Sequence, residues 1–377
     1  MFTSGSRYRG RPLTGRRSRR NGQRWCVRKL IICLKDLKPV DDIFLILVLN
    51  YISQVEEMMG NGKAEPLGEA VPVEDLAAEL ARIGYLRKTN NANNEVYIFD
   101  HRSSPLLMHE IGRIRELTFR HAGGGTGKSL DLDEYDLDPD HPQKQLIIWD
   151  PDNREIIGGY RFIFPEHKEK NFSVERFASS SYFTFSRKFI RKYLPHTMEL
   201  GRSFVRPEYQ SAAMGRKSLF SLDNLWDGLG AIIIDNRQIR YLFGKVTMYT
   251  HYNVQARNMI LYFMLKYFPD PDKLAVPDDP ISVDIHKEEM DRIFSAKHFR
   301  DNLKILGQEV RKLGENIPPL INAYMNLSPT MKCFGTFINH HFGNVEETGI
   351  MITVRDIYIE KINRHLASYR EDFDISQ

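Results

Sequence analysis

Two apolar runs constrain this chain more than any other feature. QLIIWD (145–150) and EIIGGYRFIF (155–164) stand on either side of Pro151-Asp152-Asn153, a turn signal between strand-forming residues, so the pair reads as a β-hairpin. Elsewhere helix-like and strand-like stretches alternate. Leu76, Leu80, Ile83 and Leu86 share a helical face across 74–86, and VYIFD (96–100) reads as a strand. Ser104-Pro105 reads as an N-cap and first-turn proline opening a helix that carries Leu107, Ile111, Ile114 and Leu117. A basic helix over 185–194, a strand at 198–205, a helix at 219–236, a strand at 239–249 and a helix at 253–268 follow. Helices near 298–314 and 318–326, a strand within 347–354 and a closing helix complete the pattern. The helices lie between strands, and the early hairpin makes the sheet mixed, so the class is α/β.

The chain has 377 residues, 42% of them hydrophobic, enough for a substantial core. Cys26, Cys33 and Cys333 are too scattered for a disulfide framework or a zinc site, and a reducing, cytoplasmic compartment is expected. No apolar stretch reaches the roughly 18 residues of a membrane span. Charge is unevenly spread: the net is +4, yet residues 1–38 hold twelve Lys and Arg against Asp36, a net of +11, which leaves −7 for the remainder. This basic segment has no helical period and is expected to be poorly ordered. It reads either as sequence upstream of a start at Met58 or Met59, or as an arm making peripheral contact with the inner membrane surface. No nucleic-acid partner is expected. Residues 59–72 read as a linker, which divides the chain into an extension (1–60) and one domain (61–377).

AGGGTGKS (122–129) fits the loose Walker A pattern, with Lys128 in the phosphate-binding place. Its context is wrong: a helix reads before it rather than a buried strand, and the acidic LDLDEYDLDPD follows. A glycine loop over an active site is the alternative.

Four stretches together resemble the bacterial N-acyltransferases that make lyso-ornithine or lyso-glycine lipids, often labelled hemolysin-like and placed in the GNAT superfamily. They are RELTFRHA (115–122) with GTGKSLDLDEYD (125–136), IIWDPDNREIIGGYRF (147–162), ELGRSFVRPEY (199–209), and LWDGLGAIIIDNRQIRYLFGKVTMYTHYN (225–253). The likeness spans about 100–355, the core of the domain, and the layout is similar to acyl-homoserine-lactone synthases. It implies a GNAT-like mixed, splayed β-sheet flanked by helices. It also implies transfer of a fatty acyl group, 3-hydroxylated in that family, from acyl carrier protein to an amino acid's α-amine. No cofactor is implied beyond the donor's phosphopantetheine arm. A lactone-type synthase or coenzyme A-dependent acetyltransferase is the near rival; a nucleotide-binding or non-catalytic membrane-active protein is the distant one.

Site residues follow from matching motif positions. Glu199 is the candidate base or amine-orienting group, or else an ion-pair partner of Arg202 or Arg161. Glu199 and Arg202 are an odd number apart and face opposite ways in a regular strand, so both enter one cleft only if a bulge intervenes, placed here at Gly201. Arg120, Asp131, Asp133, Asp136 and Arg161 match charged positions shared with the lactone synthases, as substrate holders or as a loop-ordering network. The GNAT pyrophosphate motif is missing: RPEYQSAAMGRKSL (206–219) offers only Gly215, with Arg216 and Lys217 before a helix, which suits one phosphodiester better than coenzyme A. Arg187, Lys188, Arg191 and Lys192 share a helical face that could dock an acidic carrier or simply be solvated. Tyr252 sits near the place of a thiolate-protonating tyrosine. His251, His340 and His341 lack ligand companions, so no metal is expected.

Overall fold

The computed structural model describes residues 64–369 except 167, 168, 170, 211–215, 284 and 367. The basic segment and Gly215 lie outside these. The hairpin is present: β3 (Lys144–Asp150) and β4 (Glu155–Ile163) pair antiparallel, and Asp150 Oδ1 accepts from the backbone N–H groups of Asp152 and Asn153 in the turn. On one side β3 continues to β2 (Glu95–Phe99) and β1 (Arg87–Lys88). On the other, β4 pairs with β6 (Thr197–Val205), then come β7 (Tyr241–Met248), β10 (Val345–Thr353) and β9 (Lys332–Asn339). Every neighbour in this eight-stranded sheet is antiparallel except β6 and β7. A small two-stranded sheet, β5 (Phe183–Phe185) with β8 (Ala275–Pro277), packs its phenylalanines against Phe243 of β7.

Alternation along β3 explains the layers. Leu146 and Ile148 face one core, with Leu225 and Leu229 of α5 (Arg216–Asp235) and Ile260 and Phe263 of α6 (Val254–Tyr267). Ile147 and Trp149 face the other, with Leu80 of α1 (Val73–Ile83) and Leu107, Ile111 and Ile114 of α2 (Pro105–His121). Each of the three α2 residues is fully buried, worth about 1.5–3 kcal/mol apiece. Ser104 is the N-cap residue and Pro105 opens the first turn, as expected, but the Ser104 hydroxyl makes no capping bond; Glu79 of α1 reaches across and accepts from Leu106 N and Leu107 N instead.

The short helices are α3 (Glu134–Leu137), α4 (Arg187–Lys192), α7 (Lys287–Ile293), α9 (Pro319–Met325) and α10 (Ile359–His365); α8 (Phe299–Lys312) is longer. Strand β9 is not apparent as a strand in the sequence, because a bulge at Gly335 (φ 102°) breaks its alternation. Among the described residues no helix is long and apolar enough to cross a membrane.

Candidate active site

The parallel strands β6 and β7 pair only from Thr197/Tyr241 to Leu200/Gly244. Beyond that they part, and the edge of β6 facing β7 has no ladder partner. A Cβ on Gly244 would stand 2.9 Å from the Leu200 carbonyl oxygen, so glycine is what lets the strands meet at the apex. The parting opens onto a cleft of about 1230 Å³.

A bulge in β6 accompanies the parting. Arg161 faces Gly201 and Gly159 faces Phe204, so Arg202 and Ser203 together oppose Tyr160. The bulge falls one position after the expected Gly201, and the left-handed residue is Arg202 itself (φ 48°). Gly158 permits this close approach, since a Cβ there would lie 2.5 Å from Phe204 O; at Gly159 a Cβ would meet Leu146 O of β3 at 2.6 Å and the Phe204 ring at 3.0 Å. The bulge reverses the parity of the strand, and Glu199 and Arg202 both line the cleft.

Three arginines and three aspartates form an alternating network on one wall. Arg115, wholly buried, donates from Nε to Asp131 (2.9 Å) and from Nη2 to Asp136 (3.0 Å). Arg161 Nη1 donates to Asp133 (2.6 Å) and Asp136 (3.0 Å). Arg202 Nε lies 2.9 Å from Asp131, Nη2 lies 3.4 Å from Asp133, and the guanidinium stacks 4.8 Å from the Phe342 ring. Asp133 and Asp136 also cap α3 reciprocally. Burial by itself would raise the carboxyls of Asp131 and Asp133, but Arg115 and Arg202 around the first, and Arg161 and Arg202 around the second, outweigh it and hold both low. Burial would lower Arg161, yet Asp136 and Asp133 keep it firmly charged. Arg161 Nε is buried without an acceptor, close beside Gly201.

Arg120 is not in this network. It donates to Glu116 (2.7 Å) and to the carbonyls of Glu65 and Lys128, ordering the glycine loop. The aspartates' helical partner is Arg115, four residues before Phe119 in RELTF, which sequence reasoning passed over. The network reading of the charged positions left room for such a partner without naming it.

Glu199 pairs with neither Arg202 nor Arg161. Its carboxylate accepts from Ala178 N (2.7 Å) and Ser179 N (2.8 Å), pinning a segment that brings Ser181 and Tyr182 to the cleft. Burial pushes its pKa up, against the pull of those donors. Across the gap Lys245 of β7 binds Glu347 (2.8 Å) and lies 4.3 Å from the Tyr182 ring, and Tyr182 donates to Asn339. Burial, then the Glu347 charge, holds the Tyr182 hydroxyl protonated. Lys245, Tyr182 and Glu347 gave no sequence signal, because they come from three distant segments.

The other expected positions stand elsewhere. Tyr252 donates to the Asn316 carbonyl and is not among the cleft-lining residues. Arg187, Lys188, Arg191 and Lys192 form α4, also away from the lining, with Lys188 paired to Asp272. Arg216 and Lys217 begin α5. The Walker-like loop follows helix α2 rather than a strand, and no helix opens at Lys128–Ser129. Glu116 already occupies its donors, accepting from Thr126 N, Thr126 Oγ1 and Gly127 N.

Comparison with known proteins places this geometry. The family model of the acetyltransferase (GNAT) domain matches residues 114–217. A glycine N(alpha)-acyltransferase of Phocaeicola vulgatus is 51% identical over 302 residues, covering 78% of this chain and 91% of that protein. The chain belongs to this N-acyltransferase family. A glycine N(alpha)-acyltransferase of Bacteroides thetaiotaomicron is 50% identical, covering 81% of this chain and 91% of that one. An L-ornithine N(alpha)-acyltransferase of Brucella abortus is 25% identical over 63% of this chain and 74% of its own. The solved AHL synthase LasI aligns with 45% of this chain and 77% of its own at 17% identity, with a TM-score of 0.21, too low for a comparison of folds. As a member of this N-acyltransferase family the chain is an acyltransferase, with a mixed sheet opened at its one parallel junction.

Proposed function

We propose that this chain moves a fatty acyl group from the phosphopantetheine thioester of an acyl carrier protein to the α-amine of glycine, opening aminolipid synthesis. The observation that carries the reading is the parting of β6 and β7 beside a guanidinium nitrogen left without an acceptor. The glycine carboxylate sits on Arg202 and Arg161 Nε. The thioester carbonyl lies in the gap, where β6 backbone N–H groups beyond Leu200 stabilise the oxyanion. Glu199, its pKa raised, takes the amine proton. The C–N bond forms, the C–S bond breaks, and the protonated Tyr182 hydroxyl supplies the departing thiolate before recovering a proton from solvent.

The identities near 50% with proteins named for glycine, against 25% for ornithine, support the acceptor. So does the charge arrangement. Asp131, Asp133 and Glu347 are engaged in ion pairs inside the cleft and Glu199 serves the α-amine, which leaves rim carboxylates such as the exposed Glu134 for ornithine's second ammonium. For the donor, Arg216 and Lys217, the first residues of α5, with Gly215 before them in the sequence, receive the arm's single phosphate. The acyl product partitions into the adjacent membrane, so peripheral contact with its inner face belongs to the same reading. Purified protein supplied with acyl carrier protein thioester and equal glycine and ornithine tests it: N-acylglycine is expected, and N-acylornithine as the main product overturns the acceptor.

A further inference from the structure

A second concavity, of about 520 Å³, runs between α8 and the chain entering α9. Its rim carries Arg300, Lys304 and Arg311, all exposed, and no carboxylate lines it. Leu303 and Ile317 give it an apolar floor. Of the nearby acids, Glu309 binds Lys312 and Glu315 accepts from Asn253 N. Asp301 lies 3.6 Å from Lys304 and offsets part of that lysine's charge, which leaves Arg300 and Arg311 as the stronger cations of the rim. The groove and the catalytic cleft share no lining residue, but one segment serves both: Asn316 and Ile317 line the first, and Pro318, Pro319 and Leu320, next in the chain, line the second.

Gly307 sits in the middle of α8, where glycine disfavours helix relative to other residues. Nothing in the chain's own packing requires it. A Cβ there would meet only the Arg311 guanidinium, at an ordinary 3.5 Å. What the glycine does is keep the groove open.

We infer that this groove docks the acidic carrier protein, seating a negatively charged amphipathic helix along the cationic α8 rim so that its prosthetic arm enters the cleft past Pro318–Leu320. The inference rests on the donor reading above. A groove with an apolar floor suits a helix, whereas a bilayer presents a broad face. Helix α4, the other cationic candidate, lines neither concavity.

The test uses the full-length protein and two donors, palmitoyl-carrier protein and palmitoyl-pantetheine. R300E/K304E/R311E is expected to raise KM for the carrier-borne donor at least about ten-fold and to leave KM for palmitoyl-pantetheine unchanged. G307L fills the groove and favours helix, so it is expected to raise the same KM without lowering Tm. Wild-type KM for the carrier-borne donor in both variants overturns the inference. So does a rise confined to R187E/R191E/K192E, which moves docking to α4. Loss of binding to phosphatidylglycerol vesicles with that KM preserved makes the groove a membrane face instead. If the wild-type protein uses palmitoyl-pantetheine but not the carrier protein, the donor reading itself has failed, and the docking site with it.

Discussion

The carbonyl oxygen of Leu200 lies 2.9 Å from the place a Cβ would take on Gly244, at the last pair before β6 and β7 part. That oxygen belongs to the backbone, so it cannot rotate aside. Gly244→Ala is expected to lower stability by about 1–3 kcal/mol and to lower kcat by shifting the apex of the gap. Thermal unfolding and steady-state kinetics on one preparation measure both.

Arg115 is fully buried and Asp131 is one of its two carboxylate partners. Asp131→Asn leaves guanidinium charge underpaired on Arg115 and Arg202, at a cost of about 3–5 kcal/mol. The sign with pH follows. Asp131 and Asp133 have folded pKa values below their unfolded ones, so their contribution is complete above about pH 4 and is lost as pH falls through the folded values. Glu199 runs the other way: its raised pKa favours the folded state at low pH and loses that contribution as pH rises through it. Urea unfolding from pH 6 down to 3 is expected to show a smaller fall in stability for Asp131→Asn than for the wild type.

Glu116 holds the glycine loop through three donors besides Arg120. Glu116→Ala is expected to make 123–129 the first site of limited proteolysis. Lys128→Ala is expected to leave acyl transfer within about two-fold, since the lysine is exposed with no phosphate cradle around it. Digestion mapped by mass spectrometry and a standard transfer assay read the two outcomes.

Gly201 stands beside the buried, acceptor-free Arg161 Nε: an added Cβ would stand 3.8 Å from that nitrogen and at no forbidden φ. Gly201→Ala is therefore expected to raise KM for glycine by about ten-fold, the worth of one hydrogen bond to a charged group, with Tm nearly unchanged. Acceptor titration at saturating donor measures it.

Most of the sheet was legible because apolar runs and turn residues are local signals: the Pro151 hairpin, the α2 face and the strand carrying Glu199 stand within a few residues of where periodicity puts them. The need for a bulge was legible too, from the odd spacing of Glu199 and Arg202. Its position was not, since it depends on Gly158 on the neighbouring strand and on the partners Arg202 meets in its left-handed conformation, Asp131, Asp133 and Phe342. Arg115 was hidden for another reason. A buried arginine on a helix face looks like surface charge until its partners arrive from the following loop. Lys245, Tyr182 and Glu347 meet only through tertiary pairing, and no spacing rule reaches across 165 residues.

Cells expressing the wild-type chain or Glu199→Gln, with their lipids resolved by mass spectrometry, test the central claim most directly. Wild-type cells are expected to accumulate N-acylglycine lipids, and the Glu199→Gln cells to lack them while holding folded protein at wild-type amounts. Ornithine-headed lipids, or glycine lipids made equally well without the Glu199 carboxylate, would contradict the account.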